Sequence, residues 1–237
     1  MKRETLSIGK IISVSLMLFA MFFGAGNMIF PPMLGHLGGS NFLQGVIGFV
    51  VTDAGLSVLG IAAIIFVGSH IDDLGKLIGP KFAVFLSLLV YLLIGPFFAL
   101  PRTGTVSYEM AIIPFLGDHA SLITSVIFTA VFFGATYVLC LNPSKLVDIV
   151  GKILTPVLLL SIAVIFVMSV LNPVGEIGVA QGDYASIPFF KGMVEGYLAL
   201  DGFAALAFAI VVINAIKNLG VEEPKNIAKY TLISGVF

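Results

Sequence analysis

The 237-residue chain has no tryptophan, one cysteine and three histidines. A single cysteine permits no intrachain disulfide, and Cys140, set in an apolar run, reads as a small packing residue. His36, His70 and His119 fall at the ends of apolar runs, far apart in sequence. They are expected at membrane interfaces, without the close spacing of a metal site. Charge is equally scarce: Asp, Glu, Lys and Arg make up 11% of the residues, where a soluble domain carries about 25%. A net charge of -1 leaves no basic face for nucleic acid. There is no Gly-rich phosphate loop, no Gly-x-Ser-x-Gly elbow and no paired His-Asp motif. These absences argue against an enzyme and against a pump that burns ATP within this chain. The first apolar stretch is too long for a cleavable signal and lacks a small-residue cleavage site after it.

What the chain has is apolar surface. Hydrophobic residues make up 59% of it, which identifies a multi-pass, all-α integral membrane protein embedded in a lipid bilayer. Apolar spans are expected at Ile11 to Met33, Phe42 to Ser69, Phe82 to Leu100, Ala120 to Leu141, Ile153 to Leu171 and Gly192 to Ile216. Pro101-Arg102 closes the third as a turn, and Asn142-Pro143 follows the fourth, with Lys145 and Lys152 framing a short amphipathic stretch. A seventh run opens at Tyr230 and reaches Phe237 without a polar close. The expected organisation is therefore an amino-terminal fragment with about six complete crossings and part of a seventh. Of the twelve Lys and Arg, all but Arg102 and Lys191 fall on one side if the amino terminus is cytoplasmic. The positive-inside rule favours that orientation.

The first span contains its own interruption. Gly24-Ala25-Gly26-Asn27 sits in mid-span, with Pro31-Pro32 just beyond. Glycine is a poor helix former and proline lacks a backbone donor. A crossing that only anchored the chain would gain nothing from either. Broken backbone inside a membrane is tolerated where it lines a cavity. The carbonyls freed there suit a small hard cation such as sodium, and the freed N–H groups at a helix start suit a carboxylate. Asn27 adds an amide oxygen and an NH2. The competing reading is close helix packing through small residues.

The sixth span repeats the pattern with Asp201-Gly202, about ten residues into the membrane, where an ionisable group costs roughly 2.5–3.5 kcal/mol to insert. The breaks in spans one and six suggest two repeats of five: residues 1–171 as the first and 172–237 as the start of a second. Asp53 lies at a similar depth in span two, but Ala54-Gly55 beside it also fits packing with a backbone hydrogen bond. Arg102 is a candidate partner for Glu109 in an outer gate, or an anchor. Phe22, Phe23, Phe30 and Phe203 are candidate pocket walls or plain packing residues. A cation-conducting channel, or a carrier of another amino acid with the same fold, remains open on the residues alone.

Three motifs extend the reading. FAMFFGAGNMIFPPMLG (Phe19 to Gly35), GPFFALPRTGTVSYE (Gly95 to Glu109) and GYLALDGFAALAF (Gly196 to Phe208) occur in order. They closely resemble the signatures of the bacterial branched-chain amino acid:cation symporters. The resemblance covers essentially the whole chain. It implies a LeuT-like, APC-type 5+5 inverted-repeat fold in the bacterial cytoplasmic membrane. It implies uptake of leucine, isoleucine and valine coupled to sodium or protons, with no other cofactor. By similarity to that fold, the substrate site draws on Gly24, Ala25, Gly26, Asn27, Leu200, Asp201, Gly202 and Phe203. A sodium ion would sit near Gly24, Ala25, Asn27 and Asp201. Gly202-Phe203 stands where Thr-Leu is expected, and Ala209 where Gly is expected, which bears on the pocket's finer shape. The eighth helix, which completes a cation site in that fold, would lie beyond Phe237.

Overall fold

A computed structural model of the chain describes residues 5–68, 70–141, 153–173 and 175–237. Lys2, Arg3, Ser69, the Asn142-Pro143 turn and the stretch from Lys145 to Lys152 lie outside the described residues. The described chain is all helical. Four stretches are long and apolar enough to cross a membrane: Ala25–Val67, Pro80–His119, Leu122–Cys140 and Asp201–Asn218. Ile8–Phe22 and Thr155–Leu171 are shorter apolar helices.

The first expected span is two helices. α1 (Ile8–Phe22) ends at Phe23, and α2 (Ala25–Gly38) begins after an extended Gly24. Pro31 and Pro32 do not break α2, as the sequence suggested they would help to do; they lie inside it. Each lacks the N–H that would bond four residues back, so they free carbonyls of the first turn instead. A left-handed Gly39 reverses the chain into α3 (Phe42–Val67). α4 (Ile71–Lys76) follows, then α5 (Pro80–Leu92).

The third crossing differs from expectation. It kinks at Gly95-Pro96, where Gly95 leaves helical geometry (φ -80°, ψ -119°), and resumes as α6 (Ala99–Ala111). Pro101-Arg102 is thus no turn. Proline costs little in a first turn, where its missing N–H has no intrahelical acceptor. α7 (Ile113–Leu116) leads to α8 (Leu122–Cys140), which Ser121 and Thr124 open with a reciprocal capping box. Tyr108 Oη meets Thr124 Oγ1 at 2.6 Å and ties α6 to that start. None of the α8 residues is buried, and Cys140 is exposed rather than packed. Half-buried Phe128 and Phe133 face α6, beside Tyr108 and Gly104, and the rest of the apolar girth turns outward, as a membrane helix can where a soluble one cannot.

α9 (Thr155–Leu171) precedes a polar link. Gln181 N–H donates to Leu37 O at 2.8 Å, Ser40 N–H to Gly178 O at 3.0 Å, and Asn41 Nδ2 to Tyr184 O at 3.1 Å. These bonds pin the link and its short α10 (Asp183–Ser186) to the α2–α3 corner. The sixth expected span is again two helices, α11 (Pro188–Leu198) and α12 (Asp201–Asn218). The last helix, α13 (Pro224–Val236), begins six residues before the apolar run at Tyr230, because Pro224 supplies a favourable first position.

α3 is the axis on which both halves of the sixth crossing pack. A methyl group on Gly48 would run into the Phe189 carbonyl, and one on Gly192 into the Gly45 carbonyl. Thr52 Oγ1 crosses the same seam to donate to Met193 O at 2.8 Å. Close backbone approach of this kind replaces the hydrophobic driving force that lipid removes. Farther along, Ile61 and Ile64 of α3 join Val14 and Leu18 of α1 and Ala205, Val212 and Ile216 of α12 in one buried cluster. α1, α3 and α12 therefore hold the two interrupted crossings side by side.

Candidate functional site

The two interruptions touch. At the first, Phe23 N–H donates back to Phe19 O at 2.8 Å, Gly24 is extended (φ -110°, ψ -166°), and helix resumes at Ala25. The sequence suggested unwinding from Gly24 through Asn27. The break is tighter: Ala25, Gly26 and Asn27 already form the first turn of α2. No side chain caps that turn, so its leading N–H groups have no intrahelical acceptor. At the second, α11 ends at Leu198 and Leu200 adopts a left-handed conformation (φ 72°, ψ 8°). It is the one non-glycine with positive φ among the described residues. Such a backbone costs of order 1–3 kcal/mol and persists only where its surroundings enforce it. The break thus lies one residue ahead of Asp201-Gly202, which open α12.

Gly26 is where the breaks meet. A Cβ there would stand 3.1 Å from both Cα and O of Ala199. One turn position on, Asn27 joins the two breaks through its amide. Nδ2 donates to Phe22 O at 3.0 Å, closing the first break, and to Asp201 Oδ2 at 3.0 Å, reaching the second. Both amide hydrogens are thereby spent, and Oδ1 remains as an acceptor.

Asp53, which the sequence left between packing and function, belongs here. It lines the same cavity as Asn27 and Asp201, and its Oδ1 is buried without a hydrogen-bond partner. Two carboxylates on the wall of one cavity repel unless a proton or a cation offsets them. The signal was present in the sequence as an acid at mid-membrane depth. What the sequence lacked was the pairing of α3 with α12. Among the described residues, no group of three or more His, Cys, Asp and Glu side chains converges. A cation held here would need backbone carbonyls and Asn27 beside the acids.

Three cavities surround these residues. One of about 420 Å³ runs from Asn27, Asp53 and Asp201 past Phe22 and Ser57 to Phe237. Another of about 160 Å³ lies against both breaks and is lined by Gly24, Ala25, Gly26, Leu200, Asp201 and Arg102, among others. Phe22 and Asp201 border both and form the partition between them. Phe22 is held by an edge-on contact with Phe208, ring centres 5.4 Å apart. Gly202 and Phe203 are not brought to this partition. They line a separate cavity of about 310 Å³ between α3 and α12, where Phe203 faces Tyr197. Phe23 also borders the larger cavity.

Arg102 does not pair with Glu109. Because α6 is continuous, the two stand two turns apart on one helix. Instead Arg102 Nη1 donates to Leu198 O at 3.0 Å, and the guanidinium lies over the Phe30 ring, 5.7 Å from its centre.

Residues 7–237 match the family model described as branched-chain amino acid transport protein. The chain is 44% identical over 234 residues to the branched-chain amino acid permease BraB of Bacillus subtilis, covering 99% of this chain and 53% of that protein. It is 45% identical over 225 residues to the permease BrnQ of the same organism, covering 94% and 51%. With the branched-chain amino acid transport system 2 carrier protein of Pseudomonas aeruginosa it shares 41% over 226 residues, covering 95% and 51%. The chain spans about half the length of the curated relatives it matches. No solved structure matches it.

Proposed function

Since the chain belongs to the branched-chain amino acid transport protein family, we propose that the whole protein carries leucine, isoleucine and valine into the cell by cation symport. It is a transport protein and not an enzyme. The proposal includes sodium or a proton as the coupling ion, a cytoplasmic amino terminus and the LeuT-type five-plus-five architecture. In that architecture residues 1–171 form the first repeat and residues 172–237 open the second.

One observation carries the reading: Asn27 hydrogen-bonds across both interrupted crossings, at Phe22 O and Asp201 Oδ2, with cavities on either side. The uncapped first turn of α2 offers N–H groups and the positive end of a helix dipole to the substrate carboxylate. The carbonyl end of α1, Asn27 Oδ1 and the Asp53–Asp201 pair offer oxygen to the coupling cation. A cation at the acids relieves their mutual repulsion and, a few ångströms away, favours the carboxylate. Neither ligand alone supplies both effects, which is the physical basis of coupling. Phe22 and Asp201, as the partition, then decide which cavity reaches the bound pair as one bundle rocks against the other.

The test is uptake of labelled leucine by the full-length protein in sealed vesicles, with and without an inward sodium gradient and an inward proton gradient. Accumulation of intact leucine driven by one gradient is expected. Ion flux indifferent to leucine would point to a channel, and accumulation of a different amino acid only would overturn the substrate class.

A further inference from the structure

The cavity of about 160 Å³ against the two breaks has one cation and one anion in its lining. Arg102, from α6, forms one wall, and Asp201, from the start of α12, forms another. Met21, Phe22, Ile94 and Phe208 supply an apolar part of the same lining. A cavity with a cation, an anion and an apolar wall matches a zwitterionic amino acid with a hydrocarbon side chain.

Arg102 is held for this task. Its bond to Leu198 O uses one of five N–H donors, and the Phe30 ring fixes the plane of the guanidinium. Among the described residues no carboxylate forms an ion pair with it. The remaining donors form a planar fork of the geometry that grips a carboxylate through two parallel bonds. The carbonyl it caps is that of Leu198, the last residue of α11 and two residues before the left-handed Leu200. The same side chain therefore reports on the second break and faces the first.

We infer that Arg102 is a substrate-binding residue, holding the α-carboxylate of the transported amino acid together with the first-turn N–H groups of α2, while Asp201 faces the α-ammonium. The inference rests on the transporter reading above and adds to it the residue that tells an amino acid from an amine of the same shape.

The experiment is competition against labelled leucine uptake in vesicles bearing the full-length protein, using unlabelled leucine and leucinamide, whose carboxylate is replaced by a neutral amide. The wild type should prefer leucine strongly. Arg102→Gln should weaken competition by leucine about 10- to 100-fold, the size of a lost charge-assisted pair, and leave leucinamide nearly unchanged, so that the preference collapses. Equal weakening of both, or an unchanged ratio, would overturn the inference and leave Arg102 as a cap on α11. If Arg102→Gln fails to fold, Arg102→Lys carries the test. It keeps the charge and a donor for Leu198 but not the fork, and a reduced leucine-to-leucinamide ratio is expected; an unchanged ratio overturns the inference. Wild-type protein that takes up no leucine would instead sink the transporter reading, a separate outcome.

Discussion

Asn27 spends its two amide hydrogens on two different breaks, at Phe22 O and Asp201 Oδ2. Replacing it by alanine removes a bond to the Phe22 carbonyl, worth about 1 kcal/mol, and one to the Asp201 carboxylate, worth about 1.5–3 kcal/mol. The expected outcome of Asn27→Ala is a rise of roughly tenfold or more in the leucine concentration for half-maximal uptake, with the protein still folded. Asp53 makes a finer point. Its placement opposite Asp201 was not readable from its own neighbours, because Ala54-Gly55 fits packing equally well. Only the α3–α12 seam brings the two acids together. Asp53→Asn keeps the shape, removes one charge and supplies an amide donor to Asp201. Transport driven by the cation should weaken, while binding of leucine at saturating cation changes little; a variant with wild-type cation dependence would remove Asp53 from the site.

At the scale of the element, the seam between α3 and α11 is set by backbone approaching backbone. Gly48→Val should prevent assembly, since even its first carbon has no room beside Phe189 O. Loss of a cooperative thermal transition in detergent is the readout, and a folded variant of normal stability would contradict the seam. Gly26→Leu is different, because the wall it meets is the second break at Ala199. The helices should form and leucine binding should be lost. The interruption in the first crossing was legible from Gly24 and Gly26, and that in the sixth from Asp201-Gly202, each to within a residue or two. Glycine removes helix preference locally, whatever surrounds it. The prolines misled. Pro101 was read as a turn and Pro31-Pro32 as part of the break. Pro101 instead sits in the first turn of α6, where proline costs little, Pro31-Pro32 lie inside α2 without ending it, and the kink in the third span fell at Gly95-Pro96.

Across the whole molecule, apolar composition sufficed to identify a membrane protein, and the exposed girth of α8 agrees with it. Which side chains meet across the breaks was not legible, because contacts between crossings depend on packing that has no sequence period. Orientation is read from the lysines and arginines and can be probed directly. In a full-length Cys140→Ser background, Lys217→Cys should react with a membrane-impermeant thiol reagent only from the cytoplasmic side, and Gly182→Cys only from outside. The reverse labelling pattern would invert the topology.

The central claim is that the contact between the two interrupted crossings holds an amino acid and its coupling cation together. Equilibrium binding of labelled leucine to purified full-length protein, titrated with sodium at fixed pH and then with pH at fixed sodium, tests it most directly when wild type and Asp201→Asn are compared. The account predicts that one of the two cations tightens leucine binding to the wild type and that this effect is largely lost in Asp201→Asn. Identical cation dependence in the two proteins would contradict it.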